Sequence, residues 1–305
     1  MTSTALALVT VSYGSDDALA ALFASLCDAT THPLLIVAAD NLPGTGRAKE
    51  IVSATGGSYL PMTSNRGYGG AINAAVATLP PEVEWVVITN PDVTFLPGSI
   101  DTLRRTAESD ARAASVGPLI RNDDGTVYPS ARAVPSIRVG IGHGLFANIW
   151  PGNPWTARYH ADTATDRPRA AGWLSGACLL VRRSAFEAGG GFDEGFFMYF
   201  EDVDLGYRFA KNDWHNIYQP AAEVVHTGAH STSGSSVAMV RAHHRSAERF
   251  ISKKYSSPVM WPVRTALLAG LRLRSLVAER RSRRGERTTS ELVRERRRRS
   301  GREFE

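Results

Sequence analysis

The sequence predicts an α/β fold: a Rossmann-like, mostly parallel central sheet flanked by helices, then a smaller mixed region and a basic helical tail. Three observations carry this. Apolar runs of strand length alternate with helix-period segments through residues 1–120, the pattern of strands buried on both faces and joined by right-handed crossovers. At 305 residues and 43% hydrophobic, the chain can bury one large core or two intimate ones. The positive charge lies at the end: residues 262–305 hold 14 arginines against 6 glutamates, a net of +8, which leaves −3 elsewhere in a chain of +5.

The strands are read as "LALVTVSY" (6–13), "LLIVAAD" (34–40), "SYLPM" (58–62), "EWVVIT" (84–89) and "ASVGPLI" (114–120). Leu19, Leu22, Phe23 and Leu26 recur at helical spacing between the first two, with Asp16 and Asp17 placed to suit the helix dipole. "NRGYGG" (65–70) reads as a Gly-rich turn before the helix "AINAAVATL", and "GSIDTLRRTAESD" (98–110) as a further helix. Residues 135–170, rich in Gly, Pro and aromatics, read as a long ordered loop. A strand over 172–183, a short helix "SAFEAGG", a helix beginning near Glu201, a short strand within 222–234 and a helix over 239–255 complete the pattern. The expected division is 1–255 as one domain, with halves 1–120 and 121–255, and 256–305 as tail.

Cys27 and Cys178 are too few for a disulfide framework, which fits a reducing compartment. The N-terminus has no basic segment before its apolar stretch and reads as a first strand rather than a signal peptide. No apolar run approaches the ~18 residues of a membrane-spanning helix.

Ligand crevices of parallel sheets lie beyond the carboxyl ends of the strands. Three polar clusters fall at such ends: Asp40-Asn41, Asn65-Arg66-Gly67 and Asn90-Pro91-Asp92. Pro91 stops the strand, and Asp92 offers a hard oxygen suited to Mg²⁺ or Mn²⁺ and so to a diphosphate; an acid in a turn is the plainer reading. The first strand-to-helix turn, "SYGSDD", lacks G-x-G-x-x-G, which argues against a dinucleotide and leaves a single nucleotide open. "FEDVDL" puts Glu201, Asp202 and Asp204 at a helix start beside the aromatic run "GFFMYF". Caps account for one or two of these acids, while an apolar wall is the setting that tunes a carboxylate as a base. His226 follows a strand end and gains weight as a ligand only if a metal sits on Asp92.

The succession "VTVSYGS", "ADN", "SNRGYGGAIN", "TNPDV", "GWLSGACLLVRRSAFEAGGGFDEGFFMYFEDVDLGYR" and "AEVVHTGAHS" resembles the family 2 glycosyltransferases of GT-A fold, over roughly residues 5–255. Within them it is similar to bacterial rhamnosyltransferases. "GPLIRNDDGTVYPSAR" with "NPWTARY" resembles the actinobacterial members that add rhamnose to N-acetylglucosaminyl-diphospho-polyprenol in building the cell-wall arabinogalactan linker. The resemblance implies an inverting transfer from a nucleotide-sugar donor, dTDP-rhamnose, to that lipid-linked glycan, with Mg²⁺ or Mn²⁺. It implies Asp202 as catalytic base with Glu201 its neighbour. Ser12, Tyr13, Asp40, Asn65, Arg66, Gly67, Asn90 and Asp92 would line the donor, and Trp173, Ser175, Gly176 and Arg132 the acceptor. Asp92, the surviving acid of a D-x-D motif, and His226 would hold the metal. The chain departs from the family at "LPGTGR" after Asn41 and at Gly14, where Asn commonly follows Tyr; both lie in donor-side loops. Another sugar, such as galactofuranose, is the alternative.

The arginine tail suits either an anionic membrane surface, at about 1 kcal/mol per basic residue, or nucleic acid phosphates. No base-reading module accompanies it, and Leu145, Phe146, Ile149, Trp150 and Trp155 give the mixture found at lipid interfaces. The expectation is a cytoplasmic protein, peripheral on the inner face of the plasma membrane, that binds no nucleic acid. Oligomeric state is not legible.

Overall fold

The computed structural model describes residues 5–135, 166–228 and 237–273. The interface-type loop residues 145–155 and the arginine tail beyond 273 lie outside them. The chain divides into two units: Met1–Phe197 with Glu201–Ser231, and Met198–Phe200 with Thr232–Glu305.

The first unit is built on a ten-stranded sheet of β1 (Ala5–Ser12), β2 (Leu34–Asp40), β3 (Ser58–Pro61), β4 (Val83–Thr89), β5 (Val93–Phe95), β6 (Ala113–Arg121), β7 (Val127–Tyr128), β9 (Arg169–Ala171), β11 (Cys178–Arg182) and β12 (His215–His226). Its main path runs β3-β2-β1-β4-β11-β6-β12-β5, with β7 paired to β6 and β9 to β12. Helices α1 (Asp16–Ala24), α2 (Leu26–Ala29), α3 (Ala48–Ala54), α4 (Gly67–Val76), α5 (Ser99–Glu108), α6 (Arg183–Ala188) and α7 (Glu201–Lys211) accompany it. Successive strand residues face opposite sides. Leu6 and Leu8 of β1 and Val87 of β4 therefore enter one core with Leu19, Leu22 and Leu103. Ala7, Val9, Val86 and Ile88 enter a second core with Ile72, Phe186 and Phe209. This two-sided burial explains the continuous apolar runs, each fully buried Val, Leu or Ile contributing roughly 1.5–3 kcal/mol.

The sheet is not parallel throughout. β11 lies antiparallel between β4 and β6, while β12 runs parallel to β6 and antiparallel to β5. The strand expected over 172–183 is two: β10 (Trp173–Leu174) pairs with β8 (Ala131–Arg132) in a separate ribbon, and β11 begins at Cys178. Ser175-Gly176-Ala177 between them is a break with consequences below. The last strand starts at His215, earlier than expected, with a register shift between Gln219 and Glu223 around Pro220, which has no N–H to give the ladder.

The "NRGYGG" turn is mostly helix. α4 begins at Gly67, whose φ of +71° and whose absent Cβ, which would stand 2.1 Å from the Phe197 carbonyl oxygen, both demand glycine. Gly69 lets Phe192 approach the helix: a Cβ there would meet that of Phe192 at 2.8 Å.

In the second unit, α8 (Val237–Lys254) is followed by a 3₁₀ turn (Pro258–Met260) and a helix over 261–273. Tyr199 and Phe200 hold positive φ and set their rings on His243, while the Ser246 hydroxyl donates to the Met198 carbonyl at 2.7 Å.

Candidate active site

β4 delivers its polar end to the carboxyl edge of the sheet. Asn90 and Asp92 fall between β4 and β5, and His226 ends β12 opposite Val93. The backbone ladder thus brings position 226 to position 92 across 134 residues. His226 Nε2 stands 3.1 Å from Asp92 Oδ1 and 3.2 Å from the Asn90 side-chain nitrogen. Burial works to raise the Asp92 pKa, but the His226 hydrogen bond and charge, with backbone N–H groups, outweigh it and leave the carboxyl below its ordinary value. Among the described residues no three His, Cys, Asp or Glu side chains cluster to hold a metal. The Asp92–His226 pair still fits one: ligands about 2.1 Å from an octahedral ion sit about 3 Å apart, and such ions commonly take one or two protein groups plus phosphate oxygens.

The break after β10 joins this edge to the acids of α7. The Asn90 N–H donates to the Ala177 carbonyl at 2.8 Å, and the Gly176 N–H donates to Asp202 Oδ2 at 2.9 Å. Val203 N–H donates to Asp202 Oδ1 at 2.8 Å. Asn90, two residues before Asp92, and Asp202 are therefore joined through Gly176-Ala177. Burial raises the Asp202 pKa despite the two backbone donors and the nearby Arg132 charge. Glu201 is 8% exposed, and its Oε2 has no hydrogen-bond partner. Burial, then the Asp202 charge, push its pKa up to about 8. Glu201 therefore keeps its proton at neutrality.

That proton has a measurable consequence. The native state keeps it between the ordinary Glu value and about 8, where the unfolded chain has lost it, so stability falls as pH rises through that window. Glu201→Gln cannot ionise. It is expected to melt several degrees above wild type at pH 8.5 and level with it near pH 4; no pH dependence in that difference would contradict the assignment.

Asp204, third of the acids, has another job. It is 1% exposed and accepts from Arg208 Nε at 2.7 Å, and Arg208 in turn donates to the Gly189 and Gly191 carbonyls. It is a structural anchor.

On the β1–β2 side, Ser12 pairs with Asp40 in the ladder, and both are 1% exposed. Asp40 accepts from Tyr59 Oη at 2.8 Å and from the Leu42 N–H at 3.0 Å, whereas the Ser12 hydroxyl is unpartnered and Tyr13 is 54% exposed. Asn65 and Gly67 close the start of α4 through an Asn65 Oδ1–Gly67 N–H bond of 2.9 Å. Asn41 ties that turn to β2, donating to the Gly67 carbonyl and accepting from the Arg66 N–H. Arg66 itself is paired with Glu194 at 2.6 Å. On the other side, Arg132 stacks on Tyr128 and Trp173, Trp173 Nε1 donates to the Ala133 carbonyl, and the Ser175 N–H donates to the Ser130 carbonyl.

Sequence patterning assigns no role to Tyr68, Tyr59 or Glu194. Tyr68 lies among the acids: Glu201, Asp202 and Asp92 all act on its phenol, which burial keeps protonated well above the usual tyrosine range. Its one sequence signal was its place in the glycine cluster.

The glycosyl transferase family 2 profile matches residues 7–190. The N-acetylglucosaminyl-diphospho-decaprenol L-rhamnosyltransferase of Mycobacterium tuberculosis is 43% identical over 299 residues, spanning 94% of this chain and 97% of that protein. Rhamnosyltransferase WbbL of Escherichia coli is 27% identical, spanning 81% and 92%. The mannosyltransferase PcManGT from Pyrobaculum calidifontis, solved in complex with GDP-Man and Mn²⁺, matches with a TM-score of 0.57 at 15% identity over 94% of this chain and 80% of that one. The structural likeness establishes a GT-A-like fold. With a profile covering more than half its length and a relative alike from end to end, the chain belongs to glycosyl transferase family 2 and is a glycosyltransferase.

Proposed function

We propose that the enzyme transfers L-rhamnose, with inversion, from dTDP-rhamnose to a polyprenyl-diphosphate-linked N-acetylglucosamine, in assembly of the arabinogalactan linker. The observation that carries it is the bridge Ser175–Ala177, which holds Asp202 and the Asn90–Asp92 edge in one site. The relative of 43% identity supports the choice of sugar and acceptor.

Asp202 accepts the proton of the acceptor hydroxyl as that oxygen attacks the anomeric carbon, and the bond to the diphosphate oxygen breaks with its electron pair leaving on the phosphate. A carboxylate whose pKa burial has raised is the better base, and the proton stays on it when product leaves. Glu201, neutral near pH 7, keeps a second charge away from Asp202. Ser12, Tyr13, Asp40 and Asn65–Gly67 would contact the donor, with Arg66 released from Glu194 to offset phosphate charge; Trp173, Ser175, Gly176 and Arg132 would border the acceptor. A divalent cation on Asp92 and His226 would neutralise the charge gathering on the departing diphosphate. A panel of nucleotide sugars offered with a synthetic polyprenyl-diphospho-GlcNAc tests this. Product is expected from dTDP-rhamnose and its loss with chelator; product only from another donor would replace the sugar, and none from any would reject the acceptor.

A lipid-linked acceptor must be met at a membrane, and we place the enzyme peripherally on the anionic inner face. No helix among the described residues is long and apolar enough to cross one. The second unit leaves Val259 85%, Trp261 60% and Leu273 66% exposed, and Lys253 and Arg272 are exposed in it too. That mixture suits insertion of apolar groups beneath acidic headgroups. Flotation with anionic vesicles at low salt is expected, weakened by removing residues 262–305; no flotation would contradict it.

A further inference from the structure

We infer that Tyr68 is a positioning residue for the base: its hydroxyl holds the carbonyl of Gly176, the residue whose N–H orients Asp202 against the Asn90–Asp92 edge. This rests on Asp202 being the base, as proposed above. The Tyr68 phenol donates to the Gly176 carbonyl at 2.6 Å. The N–H of that same residue donates to Asp202 Oδ2 at 2.9 Å, and the next carbonyl, of Ala177, accepts from Asn90 at 2.8 Å. Thr89 Oγ1 lies 3.2 Å from that carbonyl as well.

Glycine at 176 gives the break little stiffness of its own, since glycine samples more backbone conformations than any other residue. What fixes it is the set of hydrogen bonds on either side, of which the Tyr68 bond is the side-chain contribution to its carbonyl. Tyr68 is itself held. Its N–H donates to the Phe197 carbonyl at 3.2 Å, the strict glycine at 67 sets its entry into α4, and its ring packs on Phe192 at 6.1 Å between centroids. The phenol remains a donor across the working pH range because burial, followed by the charges of Glu201, Cys178, Asp202 and Asp92, opposes its ionisation. Phenylalanine would keep the ring and its packing while removing the one bond.

The test is Tyr68→Phe, assayed for kcat, donor KM and their pH dependence. A base that has lost alignment is expected to lower kcat about ten- to a hundredfold, with donor KM within about threefold. Loosening Gly176 also weakens the N–H that favours the Asp202 carboxylate, so the acid limb of the kcat profile should move to higher pH. A purely structural role would lower Tm and leave that limb in place. Wild-type kcat with an unshifted limb would overturn the inference, as would a loss in kcat fully explained by a lowered fraction of folded enzyme. Tyr68→Phe behaving as wild type while Asp202→Asn is inactive would sink the positioning role alone; an active Asp202→Asn would sink the base assignment beneath it.

Discussion

Asp202→Asn is expected to lower kcat about a thousandfold while donor binding and fold persist. General base catalysis contributes typically 10²–10⁴-fold, and asparagine cannot take the acceptor proton. The amide oxygen still accepts from one of the two backbone donors, Gly176 or Val203, and the buried charge beside Glu201 disappears. These effects oppose each other, so Tm should move by only a few degrees. Donor KM should hold within about threefold, because in the proposed mechanism position 202 meets the acceptor hydroxyl rather than the nucleotide. Turnover within tenfold of wild type would remove Asp202 from the mechanism.

Asp92→Asn is expected to lower kcat/KM about a hundredfold or more, the scale seen when one group stabilising a developing anion is lost. The fold should survive, since β5 and β12 are joined by backbone hydrogen bonds and Thr227 N–H reaches the Asp92 carbonyl, not its side chain. A Mn²⁺ titration followed by electron paramagnetic resonance supplies the second readout: the variant should bind the ion more weakly, and His226→Ala likewise. Full activity of either variant, or wild-type turnover in EDTA, would remove the cation from positions 92 and 226.

Much of the strand-and-helix order was legible because it rests on periodicity. β1, β4 and β6 are buried on both faces, as is β2 over its second half, and they announce themselves as apolar runs. Direction does not show in such a run: "ACLLV" reads the same whether parallel or antiparallel, so the reversal of β11 was hidden until its neighbours were known. Helix α4 was shortened by reading glycines as a turn, when Gly69 is in a helix to admit Phe192. Helix α3, in the stretch following "LPGTGR", went unread.

The candidate site divides along similar lines. Asp92 and Asp202 carry sequence signals, a proline that ends a strand and acids set against an aromatic wall. His226 is tied to Asp92 in the sequence only on the condition that a metal sits there, while the β5–β12 register brings the two side chains within 3.1 Å. Separating Asp204 from its neighbours was within reach of the sequence, because Arg208 stands four residues on, the spacing of a helical ion pair. Tyr68 was out of reach: its meaning depends on a carbonyl 108 residues away, and no local pattern encodes that distance.

Nuclear magnetic resonance of the product decides most directly whether one displacement with Asp202 as base describes this enzyme. The new glycosidic bond should have the anomeric configuration opposite to that of the donor sugar. A retained configuration would require two displacements or front-side attack, and would contradict the mechanism.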